Sequence, residues 1–270
     1  MAADALPDAA VREGVIAIAR EAAEAILRVY GSDFDVERKA DASPLTEADL
    51  AAHHCIVGGL ARLTPGIPVL SEESAHTVAA DVRRGWSRLW LVDPLDGTRE
   101  FVKRNGEFTV NIALIEDGVS VFGVVQAPVT GVVWYGGAAL GGAFRRDGTI
   151  TVPLRVRQPA TSPLRVAASR SHRDARTEAL LARIGDTETL GLGSSLKFCR
   201  IADGTLDVYP RFGPTSEWDT AAAQCVLEAA GGVVIAPDGR AFRYNQRPTL
   251  LNGDFIALGD PRLPWRNWIG

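Results

Sequence analysis

Between Val11 and Val29 the apolar residues Val11, Val15, Ile18, Ala22, Ala25, Ile26 and Val29 recur at helical spacing. That period predicts an amphipathic helix with one buried stripe. A second helix is expected from Glu47 to about Leu63, with Thr46 placed to cap it and Pro65-Gly66 to end it. Short apolar runs follow at Pro68 to Leu70, Leu89 to Val92, Phe108 to Ile115, Val119 to Val125 and Val132 to Tyr135. Asp117-Gly118 separates two of them as a turn, and close strands joined by Gly-containing turns suggest an antiparallel meander.

The stretch Thr149 to Ser162 is interrupted by prolines and loses periodicity, which predicts a boundary dividing the chain into 1–155 and 156–270. Beyond it a strand is expected at Leu164 to Ala168 and helices at Arg173 to Ile184 and Ser195 to Ala202. A strand at Leu206 to Tyr209, a helix from Trp218 to Ala230 stopped by Gly231, and a strand at Val233 to Ile235 complete the reading. Antiparallel strands first and alternating elements later indicate an α+β architecture of stacked layers.

Composition narrows the function classes. With 270 residues, 46% of them apolar, the chain can bury a sizeable core. Its net charge of -4 argues against general nucleic-acid binding, which needs a positive footprint. Cys55, Cys199 and Cys225 form no C-x-x-C pair and read as reduced thiols. Asp4 and Asp8 stand where a secretory leader needs positive charge, and no apolar run approaches the roughly 20 residues of a membrane span. A soluble cytoplasmic protein is expected, with peripheral association at the inner face of the membrane and the oligomeric state left open.

The chemistry concentrates in Asp93-Pro94-Leu95-Asp96-Gly97-Thr98, directly after an expected buried strand. Pro94 stiffens the exit, Gly97 permits a close backbone approach, and the free N–H groups of a following helix can hold an anion. Two carboxylates beside such a terminus suit a divalent cation bound with phosphate, Mg²⁺ preferring oxygen ligands. Plainer roles exist for each piece. Asp93 and Asp96 could cap turns, Glu72 and Glu73 could be solvated loop charges, Asp49 could complete a capping box with Thr46, and Asp219 could favour a helix dipole. Gathered in one cleft, however, these carboxylates would repel and require a cation.

Glu72-Glu73, Trp90 to Thr98 and Glu217-Trp218-Asp219-Thr-Ala-Ala together resemble the inositol monophosphatase superfamily of metal-dependent phosphatases. The resemblance implies a layered αβαβα sandwich of the sugar-phosphatase type, with an antiparallel N-terminal sheet and a smaller mixed C-terminal sheet. It implies two or three Mg²⁺ ions held by Glu72, Asp93, Asp96, Asp219 and the Leu95 carbonyl. Thr98 and Asp49 then orient and deprotonate a water, with Glu72 counted in the catalytic set. The N–H groups of Gly97 and Thr98 cradle the phosphate.

Ser43 to Thr46, Val69 to Glu73, Lys103 to Ile112, Ser169 to His172, Gly193 to Cys199 and Tyr209 to Pro214 resemble the nucleotidase branch of that family. This branch removes the 3'-phosphate of adenosine 3',5'-bisphosphate, leaving AMP and clearing a by-product of sulfate assimilation, and is lithium-sensitive. Ser194, Ser195, Lys197, Arg211 and His172 match its contacts to base, ribose and second phosphate. Plainer roles for these are a helix cap for Ser194, a solvated helix lysine, a surface ion pair for Arg211 and an exposed loop for His172. An inositol or sugar phosphatase of the same family stays open, as does, more remotely, a non-catalytic metal- and anion-binding regulator. A covalent aspartyl-phosphate route is disfavoured, because Pro94 occupies the position of the nucleophile in a D-x-D-G-T pattern.

Overall fold

The computed structural model describes residues 7–33, 36–38, 44–168 and 175–269. Its first helix, α1 (Ala9–Tyr30), is capped by Asp8, whose Oδ1 accepts the Val11 N–H at 2.8 Å. A two-stranded antiparallel ribbon, β1 (Val36–Arg38) and β2 (Pro44–Thr46), leads into α2 (Glu47–Leu63). Thr46 Oγ1 accepts the Ala48 N–H at 3.2 Å and Asp49 Oδ2 accepts the Thr46 N–H at 2.8 Å, so α2 starts with the expected capping box.

Next come β3 (Val69–Ser71), α3 (Ala80–Arg84), β4 (Arg88–Asp96), α4 (Thr98–Val102), β5 (Thr109–Glu116), β6 (Val119–Gln126), β7 (Val133–Gly137), β8 (Gly142–Asp147) and β9 (Ile150–Leu154). The seven strands lie side by side in chain order as one sheet. It is the expected meander with one difference: β3 joins β4 in parallel through a crossover containing α3. The stretch from Thr149 also differs, because Ile150 to Leu154 forms the edge strand β9. Pro153 is tolerated there, since an edge strand can lack a ladder donor.

The remainder runs β10 (Leu164–Ala168), α5 (Ala175–Ile184), β11 (Thr187–Gly191), α6 (Leu196–Ala202), β12 (Val208–Arg211), β13 (Thr215–Ser216), α7 (Glu217–Ala229), β14 (Val233–Ile235), β15 (Leu251–Asn252) and β16 (Phe255–Leu258). Five of these strands form a mixed sheet in the order β11-β10-β12-β16-β14, and β13 pairs with β15 separately.

Alternation along buried strands builds the layers. Trp90, Val92, Val110, Ile112 and Leu114 pack with Val15, Ile26, Ile56 and Leu60 of α1 and α2. Their neighbours Leu89, Leu91, Ala113 and Ile115 point the other way, into a core shared with Phe198 of α6, Val226 of α7, and Tyr209 and Phe255 of the second sheet. The outer face of that sheet packs Val166, Val208 and Ile256 against Leu180 of α5 and Trp265. The layers are therefore helices, sheet, helices, sheet and helix. α7 lies very close on the first sheet. A Cβ placed on Gly123 of β6 would sit 2.2 Å from the Ala222 carbonyl oxygen, so only glycine fits.

Candidate active site

β4 leaves its sheet irregularly. Asp93 pairs with Asn111 and Asp96 with Thr109, three residues of β4 spanning two of β5. The extra residue bends the strand. Asp93, 2% exposed, uses Oδ1 to accept the Leu95 N–H at 3.0 Å, closing the turn around Pro94. Gly97 follows with φ 95°, the left-handed conformation, and opens α4. Thr98, first in that helix, has its hydroxyl 3.2 Å from Asp49 Oδ1 and 3.3 Å from the Leu95 carbonyl oxygen. Asp49 itself is 1% exposed.

The other carboxylates arrive on different elements. Glu72 opens a short 3₁₀ turn, Glu72–Thr77, directly after β3. Asp219 sits in the first turn of α7, where its Oδ2 accepts the Ser216 N–H at 2.8 Å. Asp96 Oδ2 accepts the Ser195 N–H at 2.7 Å across the cleft floor. Burial raises the Asp96 pKa, opposed by the charge of Lys197 and by the hydrogen bonds of Ser195 and Asn111. Burial also raises that of Asp219 well above the usual carboxylate range, and repulsion from Asp96 and Glu72 adds to it.

Mutually destabilised oxygen donors of this kind suit a hard cation. Among the described residues, no three His, Cys, Asp or Glu side chains converge closely enough to enclose one ion in this arrangement. Asp93, Asp96 and Asp219 are each turned toward a backbone N–H, of Leu95, Ser195 and Ser216 respectively. The donor set, all carboxylate and carbonyl oxygen, fits a hard cation chemically.

A cleft of about 450 Å³ opens from this floor, lined among others by Asp96, Asp219, Ser194, Lys197, Tyr209 and Arg211. Its lining carries charges of both signs. Lys197 is no solvated helix lysine: it is 6% exposed, donates to the Ser194 carbonyl at 2.8 Å, and stands 5.1 Å from the centre of the Tyr209 ring. Burial holds its pKa down to about 8, with Asp96 opposing and Arg211 reinforcing. Arg211 donates to the Pro214 carbonyl at 3.0 Å, and its buried Nε finds no protein acceptor.

Ser194 lines the cleft with a left-handed backbone, φ 46°, and its Oγ lies 3.1 Å from Thr109 Oγ1. The cap position of α6 falls to Ser195 instead. Ser195 is 1% exposed. Its hydroxyl donates to the Asp219 carbonyl at 2.7 Å and accepts from Asn111 Nδ2 at 3.0 Å. His172, like Ser169 to Ser171 and Ser43, lies outside the described residues. His53 pairs with Ser71 Oγ at 2.8 Å on α2.

Two residues join the site without having been singled out in sequence. Asn111, 1% exposed, donates to Ser195 Oγ and, at 3.4 Å, to Asp96 Oδ2. Glu107 accepts the Gly193 N–H at 2.8 Å and so ties the strand bearing Asn111 to the cleft wall. The signal for Asn111 was an amide inside the apolar run Val110 to Ile115.

A profile of the inositol monophosphatase family matches residues 8–263. The 3'(2'),5'-bisphosphate nucleotidase CysQ of Salmonella typhimurium is 51% identical over 245 residues, covering 90% of this chain and 97% of that protein. Its counterpart in Escherichia coli strain K12 is 49% identical over 243 residues, covering 89% and 96%. The crystal structure of CysQ from Bacteroides thetaiotaomicron, a bacterial member of the inositol monophosphatase family, is 40% identical. It superposes with a TM-score of 0.79, over 91% of this chain and 96% of that one.

Proposed function

The chain belongs to the inositol monophosphatase family, and from that premise we propose that it is a metal-dependent phosphomonoesterase removing the 3'-phosphate of adenosine 3',5'-bisphosphate, with AMP and phosphate as products. The observation that carries the substrate is the presence of basic side chains, the buried Lys197 among them, in the cleft that holds the carboxylates. Lys197 and Arg211 line the same cavity as Asp96 and Asp219, so a ligand with two phosphates can set one at a cation held by the carboxylates and the other against the basic side chains.

In this reading Glu72, Asp93, Asp96, Asp219 and the Leu95 carbonyl hold Mg²⁺, two or three ions. The metal would acidify a water and neutralise charge on the phosphoryl oxygens. The protein's own part is positional. Thr98, its hydroxyl beside Asp49, orients the water and passes its proton to that carboxylate. The N–H groups of Gly97 and Thr98, at the start of α4, receive the scissile phosphate. Lys197 and Arg211 bind the second phosphate, Ser194 and His172 contact the nucleoside, and Ser195 holds Asp96 in place rather than meeting substrate at an open wall. Residues 1–155 supply most of the metal ligands, and 156–270 complete the site with Asp219 and the nucleotide pocket.

The activity fits a cytoplasmic enzyme that clears a by-product of sulfate assimilation, and the resemblance to the nucleotidase branch implies lithium sensitivity. Among the described residues no helix is long and apolar enough to cross a membrane.

The test compares Lys197→Ala and Arg211→Ala on adenosine 3',5'-bisphosphate and on 3'-AMP, which lacks the second phosphate. A charge-assisted hydrogen bond contributes about 1.5–3 kcal/mol, so kcat/KM for the bisphosphate is expected to fall about 10- to 100-fold. Activity on 3'-AMP should hardly change. Equal losses on both substrates would remove the second-phosphate role.

A further inference from the structure

We propose that Arg83 is a positioning residue for the metal site, a buried strut that sets the separation between the turn carrying Glu72 and the helix carrying Asp219. The inference rests on the carboxylate assignment above and extends it to a residue far outside the cleft. Arg83 is 2% exposed. It lies on α3, separated from the Glu72–Thr77 turn by Val78 and Ala79 alone, so the two form one continuous segment between β3 and β4.

From there the guanidinium reaches into the segment preceding β15. Nη1 donates to Asn245 Oδ1 at 3.0 Å, while Nη2 donates to the carbonyls of Arg247 at 3.0 Å and Pro248 at 2.6 Å. Asn245 answers, its Nδ2 donating to the Arg83 carbonyl at 2.6 Å. The same segment grips the start of α7. Glu217, 0% exposed and two residues before Asp219, accepts the Asn245 N–H at 2.6 Å on one oxygen and Arg247 Nη2 at 2.9 Å on the other. The Glu217 N–H donates to the Leu250 carbonyl at 2.8 Å, and Asn252 Nδ2 to the Ser216 carbonyl at 2.7 Å.

Glu72 and Asp219 thus belong to different elements, and this chain of directional bonds joins the helix that follows the Glu72 turn to the start of α7. Buried charge networks add little net stability over apolar packing of the same volume, but they specify geometry. A metal site whose ligands come from separate elements needs that geometry, and remote orienting partners of metal ligands commonly change affinity 10- to 100-fold when removed.

The experiment titrates the purified full chain with Mn²⁺ by electron paramagnetic resonance, alongside thermal melts and steady-state kinetics over a range of Mg²⁺. Arg83→Met is expected to weaken Mn²⁺ binding about 10-fold or more, at a temperature where the variant is folded. The Mg²⁺ needed for half-maximal activity should rise in parallel, while KM for substrate at saturating Mg²⁺ stays within about threefold. Should Arg83→Met not fold, Asn245→Gly serves instead, since it keeps the left-handed backbone (φ 55°) and deletes the amide that receives the guanidinium. A folded variant with a lowered melting temperature and wild-type Mn²⁺ affinity overturns the strut and leaves the carboxylate assignment standing. A wild-type chain that takes up no Mn²⁺ overturns both.

Discussion

Thr98 Oγ1 lies 3.2 Å from one oxygen of Asp49, while the other oxygen of that carboxylate accepts the Thr46 N–H at 2.8 Å and the Thr46 hydroxyl at 2.7 Å. One side chain is both the capping partner of α2 and the neighbour of the hydroxyl assigned to the water. Its two parts are separable. Asp49→Asn keeps an acceptor for the cap but loses basicity, so kcat should fall about 10²- to 10⁴-fold with a small change in melting temperature. Asp49→Ala should lose the same activity and about 1 kcal/mol of stability besides. Thr98→Ser should retain most activity and Thr98→Val should not. Rates and thermal melts on the four variants check this pattern.

Asn111 is expected to matter as much as a ligand's neighbour can. Replacing it by Leu keeps the branched shape and leaves Asp96 and Ser195 without their shared donor. Divalent-cation affinity measured by calorimetry should fall about 10- to 100-fold. Urea unfolding should show a loss of about 1–3 kcal/mol, because the buried Ser195 hydroxyl loses its donor and the Thr109 hydroxyl its acceptor.

Gly123→Ala tests how closely α7 must approach. The new Cβ would meet the Ala222 carbonyl oxygen at 2.2 Å, and backbone cannot rotate away as a side chain can. A loss of at least about 1–3 kcal/mol is expected in urea titration. Because the helix that must retreat carries Asp219, activity should fall further than the unfolded fraction explains.

Asp260 sets an acid limb of stability. It accepts the Arg262 guanidinium and the N–H groups of Arg262 and Ala160, which against the effect of burial hold its carboxyl down to about 2. A carboxyl whose pKa is lowered by folding stabilises the protein above its unfolded pKa, near 4. That contribution is lost as pH falls from about 4 to about 2. Urea midpoints of wild type and Asp260→Asn should therefore differ at pH 6 and converge toward pH 2.

Much of this was legible in advance where local chemistry dominates. α2 begins at Glu47 and ends at Leu63 as expected, because its capping box and the Pro65-Gly66 stop act within a few residues. The strands β11 and β16 were not foreseen. β11 is a polar edge strand with no apolar alternation, and β16 is four residues buried on both faces, which periodicity cannot separate from a helix turn. The acids of the site stood out as a motif. Lys197 did not reveal its burial, since one lysine in a helix reads as solvated until Tyr209 and Asp96 are placed around it. Arg83, beside Asp81 and Arg84, carries no sequence signal that separates it from a surface charge.

The central claim is tested most directly by phosphate release with Mg²⁺ from adenosine 3',5'-bisphosphate, inositol 1-phosphate and fructose 1,6-bisphosphate assayed in parallel. A cleft holding Lys197 and Arg211 beside the carboxylates predicts the highest kcat/KM for the nucleotide, with AMP as its product and no turnover by Asp96→Asn. A higher kcat/KM for either of the other two contradicts the substrate assignment, and an active Asp96→Asn enzyme contradicts the metal site itself.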